Sequence, residues 1–280
     1  HHDIEIEPDI VDLLPAMLWH LEEPIADPAA INTYLICKAA RERGTKVLLS
    51  GMGADEIFGG YRKHLSVLMA RRYKNLVPAM IRKHLVGPVV RSLPAAGGSG
   101  GYRWFRWAKR FEQSASLDDV DCFIGNSSYY PWAEMNDLLT PEFRREYHSA
   151  YPVRRHLEMF SESSGQDLLT QMTYTDTKLF LAGLNLAYTD KASMAASVEV
   201  RVPFLDHRLV ETAVGLPSRL RIRGFEQKWL LRQIGYQYLP RKVVDRPKAP
   251  FGAPLRSWMR RDLMPMLREY LSEESVKQRG

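Results

Sequence analysis

An acidic pair, Asp55 and Glu56, follows a glycine-spaced turn in the run Lys46 to Tyr61, KVLLSGMGADEIFGGY. Backbone N–H groups of Ser50, Gly51 and Gly53 can face an anion in such a turn, and a helix is predicted to start at about Ala54. A carboxylate aimed at a phosphate would repel it, so Asp55 makes chemical sense there when Mg²⁺ lies between it and a nucleotide polyphosphate. Adjacent helical residues point about 100° apart, so only one of Asp55 and Glu56 can face the site. The plainer reading is that the helix macrodipole favours acids in a first turn and that glycines simply make turns.

Several elements must position this turn. Val47, Leu48 and Leu49 are predicted as a short buried strand leading into it. Ahead of them, Asp27-Pro28 starts a helix with Ile31, Tyr34, Leu35 and Ala39 on its buried face, and Gly44 ends it. A long helical region runs from Arg62 to about Leu93 with breaks at Pro78 and Pro88, and PAAGGSGG, Pro94 to Gly101, reads as a linker. Gln166 to Tyr188 is predicted as another helix, with Leu169, Met172, Leu179 and Leu186 buried.

Further along, Val198, Val200 and Val202 alternate with Glu199 and Arg201, which in extended backbone puts the acid and the base on one side. The two charges either pair structurally or face a substrate. Asp206 is the expected N-cap of the next helix. Lys248, in RPKAPF, sits in a proline-bounded loop with Arg246, where a helix cannot form and from which a long cation can reach into a cleft.

The string SGMGADEIFGGY closely resembles the second nucleotide-site motif of the asparagine synthetase family, SGxGxDExFGGY. DKASMAASVEVRVPFLD, Asp190 to Asp206, is similar to the family's DRxSMAxSxExRxPFLD. Lys228 to Trp258 contains KWLLR, LP, RPKAPF and PLRSW, against KxLLR, LP, RxKxGF and PxxxW. HLEEPIADPAAINTYLICKAARERG resembles the HLDEPFxDPSxxPxYxLS segment that precedes the second motif. The likeness covers residues 1–61 and 166–260; 62–165 carries no motif.

The resemblance implies an α/β fold of the adenine-nucleotide alpha-hydrolase (ATP-pyrophosphatase) type, mostly helical in this stretch. It implies a ligase of asparagine, hence amino-acid, biosynthesis. Such an enzyme uses ATP and Mg²⁺ to adenylate a carboxylate, aspartate first, with release of pyrophosphate, and then amidates it with glutamine-derived ammonia. By the same resemblance Ser50, Gly51 and Gly53 lie against the nucleotide, Asp55 holds Mg²⁺ with pyrophosphate, Lys248 neutralises the leaving group, and Glu199 and Arg201 stand beside the active site. Glu56 is a further candidate. Lys228 is matched too, and reads equally as a solvated residue at a helix start. The family's glutaminase domain and its SGGxDS pyrophosphate loop do not occur in the sequence. Residues 1–280 are therefore expected to be a partial synthetase domain, inactive alone, drawing ammonia from the missing domain and homodimeric in full-length form.

Met52 departs from the pattern, since asparagine synthetases commonly carry glutamate there and a thioether cannot accept a proton. Glu199 is then the nearest candidate base. Two alternatives stay open: a same-fold tailoring amide ligase, either β-lactam-synthetase-like or a peptide or sugar amidotransferase, and a non-catalytic remnant or interaction domain.

At 280 residues, 45% hydrophobic and 26% charged, the chain can bury a substantial core. No uncharged apolar run approaches the roughly 18 residues of a membrane span, and HHDIEIEPDI is no signal peptide, so a cytoplasmic location is expected. Cys37 and Cys122 make no CxxC, and the eight histidines form no zinc motif. The net charge of +6 raises nucleic acid as a partner. In the densest basic stretch, Tyr102 to Arg110, Trp104, Trp107, Ala108 and the following Phe111 share a helical face opposite Arg103, Arg106, Lys109 and Arg110. That is an ordinary amphipathic helix, and neither nucleic acid nor membrane is expected as a partner.

Overall fold

The computed structural model describes residues 9–25, 27–94, 102–128, 130, 132–146, 153–247, 251 and 254–279. Lys248 and residues 95–101 of the expected linker lie outside the described residues. The architecture is a mostly helical α/β arrangement with two small sheets.

The Asp9 carboxylate caps α1 (Ile10–Leu21), and Asp27 accepts the Ala29 N–H at the start of α2 (Ala29–Glu42). Gly44, at φ +81°, ends α2 before β1 (Val47–Leu49). Then come α3 (Ala54–Phe58) and α4 (Arg62–Leu76). Pro78 separates α4 from α5 (Ala79–Ile81), as the sequence predicts. Pro88 does not break the chain. Arg82–Val86 widens into a π-helical turn and Pro88 sits in the first turn of α6 (Gly87–Ser92), where a missing N–H is tolerated.

Next are α7 (Tyr102–Ser116), α8 (Asp119–Ser127), α9 (Trp132–Asp137), α10 (Pro141–Glu146) and α11 (Arg154–Glu162). Asp167 caps α12 (Leu168–Thr175), which runs through a π-helical stretch, Asp176–Leu186, into α13 (Ala187–Ala195). This helical run is longer than predicted. Leu169 and Met172 are buried as expected, but Leu179 and Leu186 are only half-buried, because the wider π turn changes the angle between successive side chains. Then follow β2 (Glu199–Arg201), α14 (His207–Val214) with its expected Asp206 cap, α15 (Ser218–Arg221), β3 (Ile222–Arg223) and β4 (Glu226–Gln227). The chain closes with α16 (Trp229–Tyr238), α17 (Arg241–Val244), α18 (Leu255–Arg260), α19 (Met264–Tyr270) and α20 (Glu273–Arg279).

Contacts divide the chain into two units. The first comprises residues 1–52, 181–204 and 241–280. In it α2 packs along α13, and Ile10, Met17, Leu21, Ala30, Ile31, Tyr188, Ala192 and Trp258 form the core. β1 and β2 pair in parallel with Val47, Leu48 and Leu49 opposite Glu199, Val200 and Arg201. The second comprises residues 53–180 and 205–240, with a core that includes Val67, Ala70, Phe123, Phe160, Leu169, Met172 and Ile222. Its sheet is the short antiparallel hairpin β3–β4.

Two further expectations need correction. β1 is a strand but not a buried one, with Val47 42% and Leu49 74% exposed. Residues two apart share a face, and among the described residues the sheet has only two strands, so nothing described covers that face. On α7, Ala115 is buried and Ala108 and Phe111 are half-buried, but Trp104 and Trp107 stand 69% and 56% exposed. The aromatic stripe leaves the core before it reaches the tryptophans.

Candidate active site around the Ser50–Tyr61 turn

In the first unit the Ser50 N–H donates to the Arg201 carbonyl at 2.8 Å, carrying the parallel pairing one residue past β1. The Ser50 hydroxyl then accepts the Met52 N–H at 3.2 Å, closing a side-chain turn that fixes the peptide after Gly51. A Cβ on Gly51 would meet no atom within 4 Å, so packing gives no reason for glycine there. Met52 is half-buried against the first unit's core, with the Thr189 hydroxyl 3.6 Å from its sulfur. It is a packing residue.

Glu199 and Arg201 form an ion pair at 2.9 Å with more than half of each side chain exposed. Their register opposite Val47 and Leu49 puts the pair on the sheet face that carries those two apolar side chains. Hydrogen bonding to Glu199 raises the pKa of the Arg201 guanidinium further. An exposed pair of this kind contributes little to stability.

In the second unit the constraints are tight. Gly53 has φ +92°, and a Cβ there would lie 2.4 Å from Leu205 Cδ2. Both the backbone and Leu205 demand glycine. In α3 the two acids separate as helical geometry requires. Glu56 is 1% exposed and accepts the Tyr61 hydroxyl at 2.5 Å. It faces inward and is a structural carboxylate. Asp55 points outward, about a quarter exposed, and meets Lys228 Nζ at 3.0 Å.

The loop after α3 makes that meeting possible. The Gly60 N–H donates to the Asp55 carbonyl at 2.7 Å, and a Cβ on Gly60 would lie 2.0 Å from Asp55 Oδ1 and 2.2 Å from Lys228 Cε. Any side chain at Gly60 would displace both charged groups. Gln227 holds the loop by donating Nε2–H to the Gly59 carbonyl at 3.1 Å and to the Tyr61 carbonyl at 2.6 Å. Lys228 itself is left-handed, φ +52°, at the N-cap of α16, a conformation that costs a non-glycine residue about 1 kcal/mol or more. The sequence reading of Lys228 as a freely solvated helix start is therefore incomplete.

Asp55 and Lys228 together form a dipolar clamp suited to an anion with its counter-cation. No group of three or more metal-ligating side chains occurs among the described residues. One outward carboxylate fits Mg²⁺ where phosphate oxygens and water complete the octahedron, the usual way that this ion is held. Gly60 escaped sequence reasoning; its signal was the doubled glycine directly after α3.

The pattern of the Asparagine synthase family matches residues 1–280. The chain belongs to the asparagine synthase family. Asparagine synthetase [glutamine-hydrolyzing] 1 of Bacillus subtilis (strain 168) is 31% identical over 264 residues, 94% of this chain and 39% of that protein. A Mycobacterium tuberculosis (strain H37Rv) protein provisionally named a glutamine-hydrolyzing asparagine synthetase is 34% identical over 253 residues, 90% of this chain and 36% of that one. More distant is Amidase chyE of Penicillium rubens, 22% identical over 293 residues, 94% of this chain and 40% of that protein. The chain thus spans 36–40% of the length of these relatives. No solved structure matches it. Among the described residues no helix is long and apolar enough to cross a membrane.

Proposed function

We propose that this chain is part of an ATP-dependent amide-forming ligase of asparagine synthetase type, built on an adenine-nucleotide alpha-hydrolase-like synthetase domain and working in the cytoplasm. The observation that carries the reading is the clamp: Asp55 and Lys228, 3.0 Å apart, with Gly60 lacking the Cβ that would separate them. A carboxylate oxygen of the acid, aspartate first, attacks the α-phosphorus of ATP. The bond to the β-phosphate oxygen breaks and pyrophosphate leaves. Ammonia derived from glutamine then attacks the acyl carbon, and AMP departs.

In this scheme Ser50, Gly51 and Gly53 line the nucleotide. Asp55 holds Mg²⁺, which supplies charge neutralisation for the polyphosphate when bound. Lys228 and Lys248 hold the pyrophosphate oxygens as charge develops on them, the kind of fixed electrostatic stabilisation that lowers such barriers. Glu199 accepts the proton lost by the amine, and Arg201 orients Glu199 through their shared hydrogen bond. Glu56 fixes α3 through the Tyr61 hydroxyl.

A second reading has its own observation. Met52 is committed to core packing, so the position where asparagine synthetases commonly place a glutamate offers no proton acceptor. This favours a same-fold tailoring amide ligase over an asparagine synthetase proper, in keeping with the 22%-identical relative named an amidase. Carboxylate-dependent ATP–pyrophosphate exchange by the full-length protein, run with aspartate and a panel of other acids, separates the two. Exchange with no acid at all would remove both.

A further inference from the structure

A groove of about 610 Å³ lies in the second unit between α4, α7 and the β3–β4 hairpin, with Gln227 among its lining residues. Leu65, Met69 and Phe111 form apolar wall, Trp107 and Phe225 stand at the lip, and Arg62 and Arg110 also line it. Phe225 is 75% exposed at the hairpin tip beside Gly224, whose φ of +63° makes the tight turn.

The apolar surface continues along α7. Trp104 and Trp107 lie with ring centroids 6.2 Å apart, and Trp107 stacks on Phe111 at 5.3 Å. From Trp104 to Phe111 this ladder runs roughly 10 Å along the helix axis. Its inner end is anchored, because Phe111 packs edge-on against Tyr73 of α4. The helix is therefore fixed to its neighbours and presents the two indoles outward.

Charge decides what fits. Arg62, Arg106 and Arg110 are exposed, and none has an acidic partner among the described residues. The acid available on α7, Glu112, is engaged by Arg91 of α6. Exposed tryptophans flanked by unpaired guanidinium groups are the composition of protein-binding hot spots, and such a face is avoided on a surface with nothing to bind. A single small acid would cover one end of the ladder only. A nucleic-acid strand would waste the aliphatic wall of Leu65 and Met69. A membrane surface would need a convex helix face, whereas this one borders a concavity.

We propose that the α4–α7–hairpin groove docks an acidic peptide segment of a protein partner, with aromatic or aliphatic side chains against Trp107, Phe111 and Phe225 and carboxylates on Arg62 and Arg110. The proposal does not rest on the ligase reading, although Gln227, which lines the groove, also holds the Gly59–Tyr61 loop. The test pans a displayed random-heptapeptide library on the full-length protein. Selected peptides are expected to combine Asp or Glu with Trp, Phe or Leu. Their affinity, by fluorescence anisotropy, should fall at least roughly tenfold in Trp107→Ala and again in Arg62→Gln/Arg110→Gln. The arginine pair is exposed, so circular dichroism of that variant should match wild type even if the tryptophan variant loses structure. The proposal is overturned by no enrichment over the arginine double variant, by selected peptides lacking acids, or by tighter binding of an oligo-dT strand or phosphatidylserine vesicles than of the best peptide.

Discussion

The strand end at Ser50–Gly51 and the turn at Gly53–Gly60 belong to one sequence motif, yet they are held by different physics. At the strand end Gly51 has open space beside its Cα, Leu49 is exposed, and the Glu199–Arg201 pair stands at the surface. In the turn Gly53 is pinned by Leu205, and Gly60 by Asp55 and Lys228. Packing within the described residues thus explains the residue types of the turn and leaves those of the strand end unexplained. In the proposed function Gly51 lies against the nucleotide, whereas Gly53 answers first to the fold.

The comparison can be broken by substitution. The largest effect should come from Gly60→Ala in the full-length protein. Its Cβ drives Asp55 and Lys228 apart, and a misplacement of about 1 Å in reacting groups costs on the order of 10²-fold. ATP–pyrophosphate exchange close to wild type would show that the clamp has slack. Next, Lys228→Met should lower kcat by roughly 10- to 100-fold while Tm stays within about 2 °C, since Met keeps most of the side chain's aliphatic length and removes its charge. A large fall in Tm with turnover retained would make the lysine structural.

Stability sharpens the contrast further. Gly53→Ala should cost about 2–3 kcal/mol in urea unfolding, from a left-handed backbone and the Leu205 clash together. Gly51→Ala should stay within about 0.5 kcal/mol while weakening nucleotide binding. Equal stability losses at the two glycines would erase the distinction.

Much of this was legible in the sequence because the signals were local. Helix start at Ala54, the caps at Asp27 and Asp206 and the alternation around Glu199 all follow from short-range rules, and the Asp167 cap, which is not among the sequence expectations, obeys the same rule. The split between outward Asp55 and inward Glu56 followed from 100° per residue, though not which of the two would turn in; that depends on the Tyr61 hydroxyl. Burial of β1 was misjudged because apolarity predicts a preference for cover and not the presence of a covering layer. Trp104 and Trp107 were placed inward on periodicity, which identifies a face and not its length. The Asp55–Lys228 pairing joins residues distant in sequence and had no local signature.

The central claim is that Asp55 holds the metal and phosphate end of ATP. It is tested most directly by Asp55→Asn in the full-length protein, which keeps the side-chain shape and removes the charge. The assay is carboxylate-dependent ATP–pyrophosphate exchange across a Mg²⁺ titration. The account predicts a loss of on the order of 10²-fold at millimolar Mg²⁺ with Tm nearly unchanged. Exchange at the wild-type rate with the wild-type Mg²⁺ dependence would contradict it.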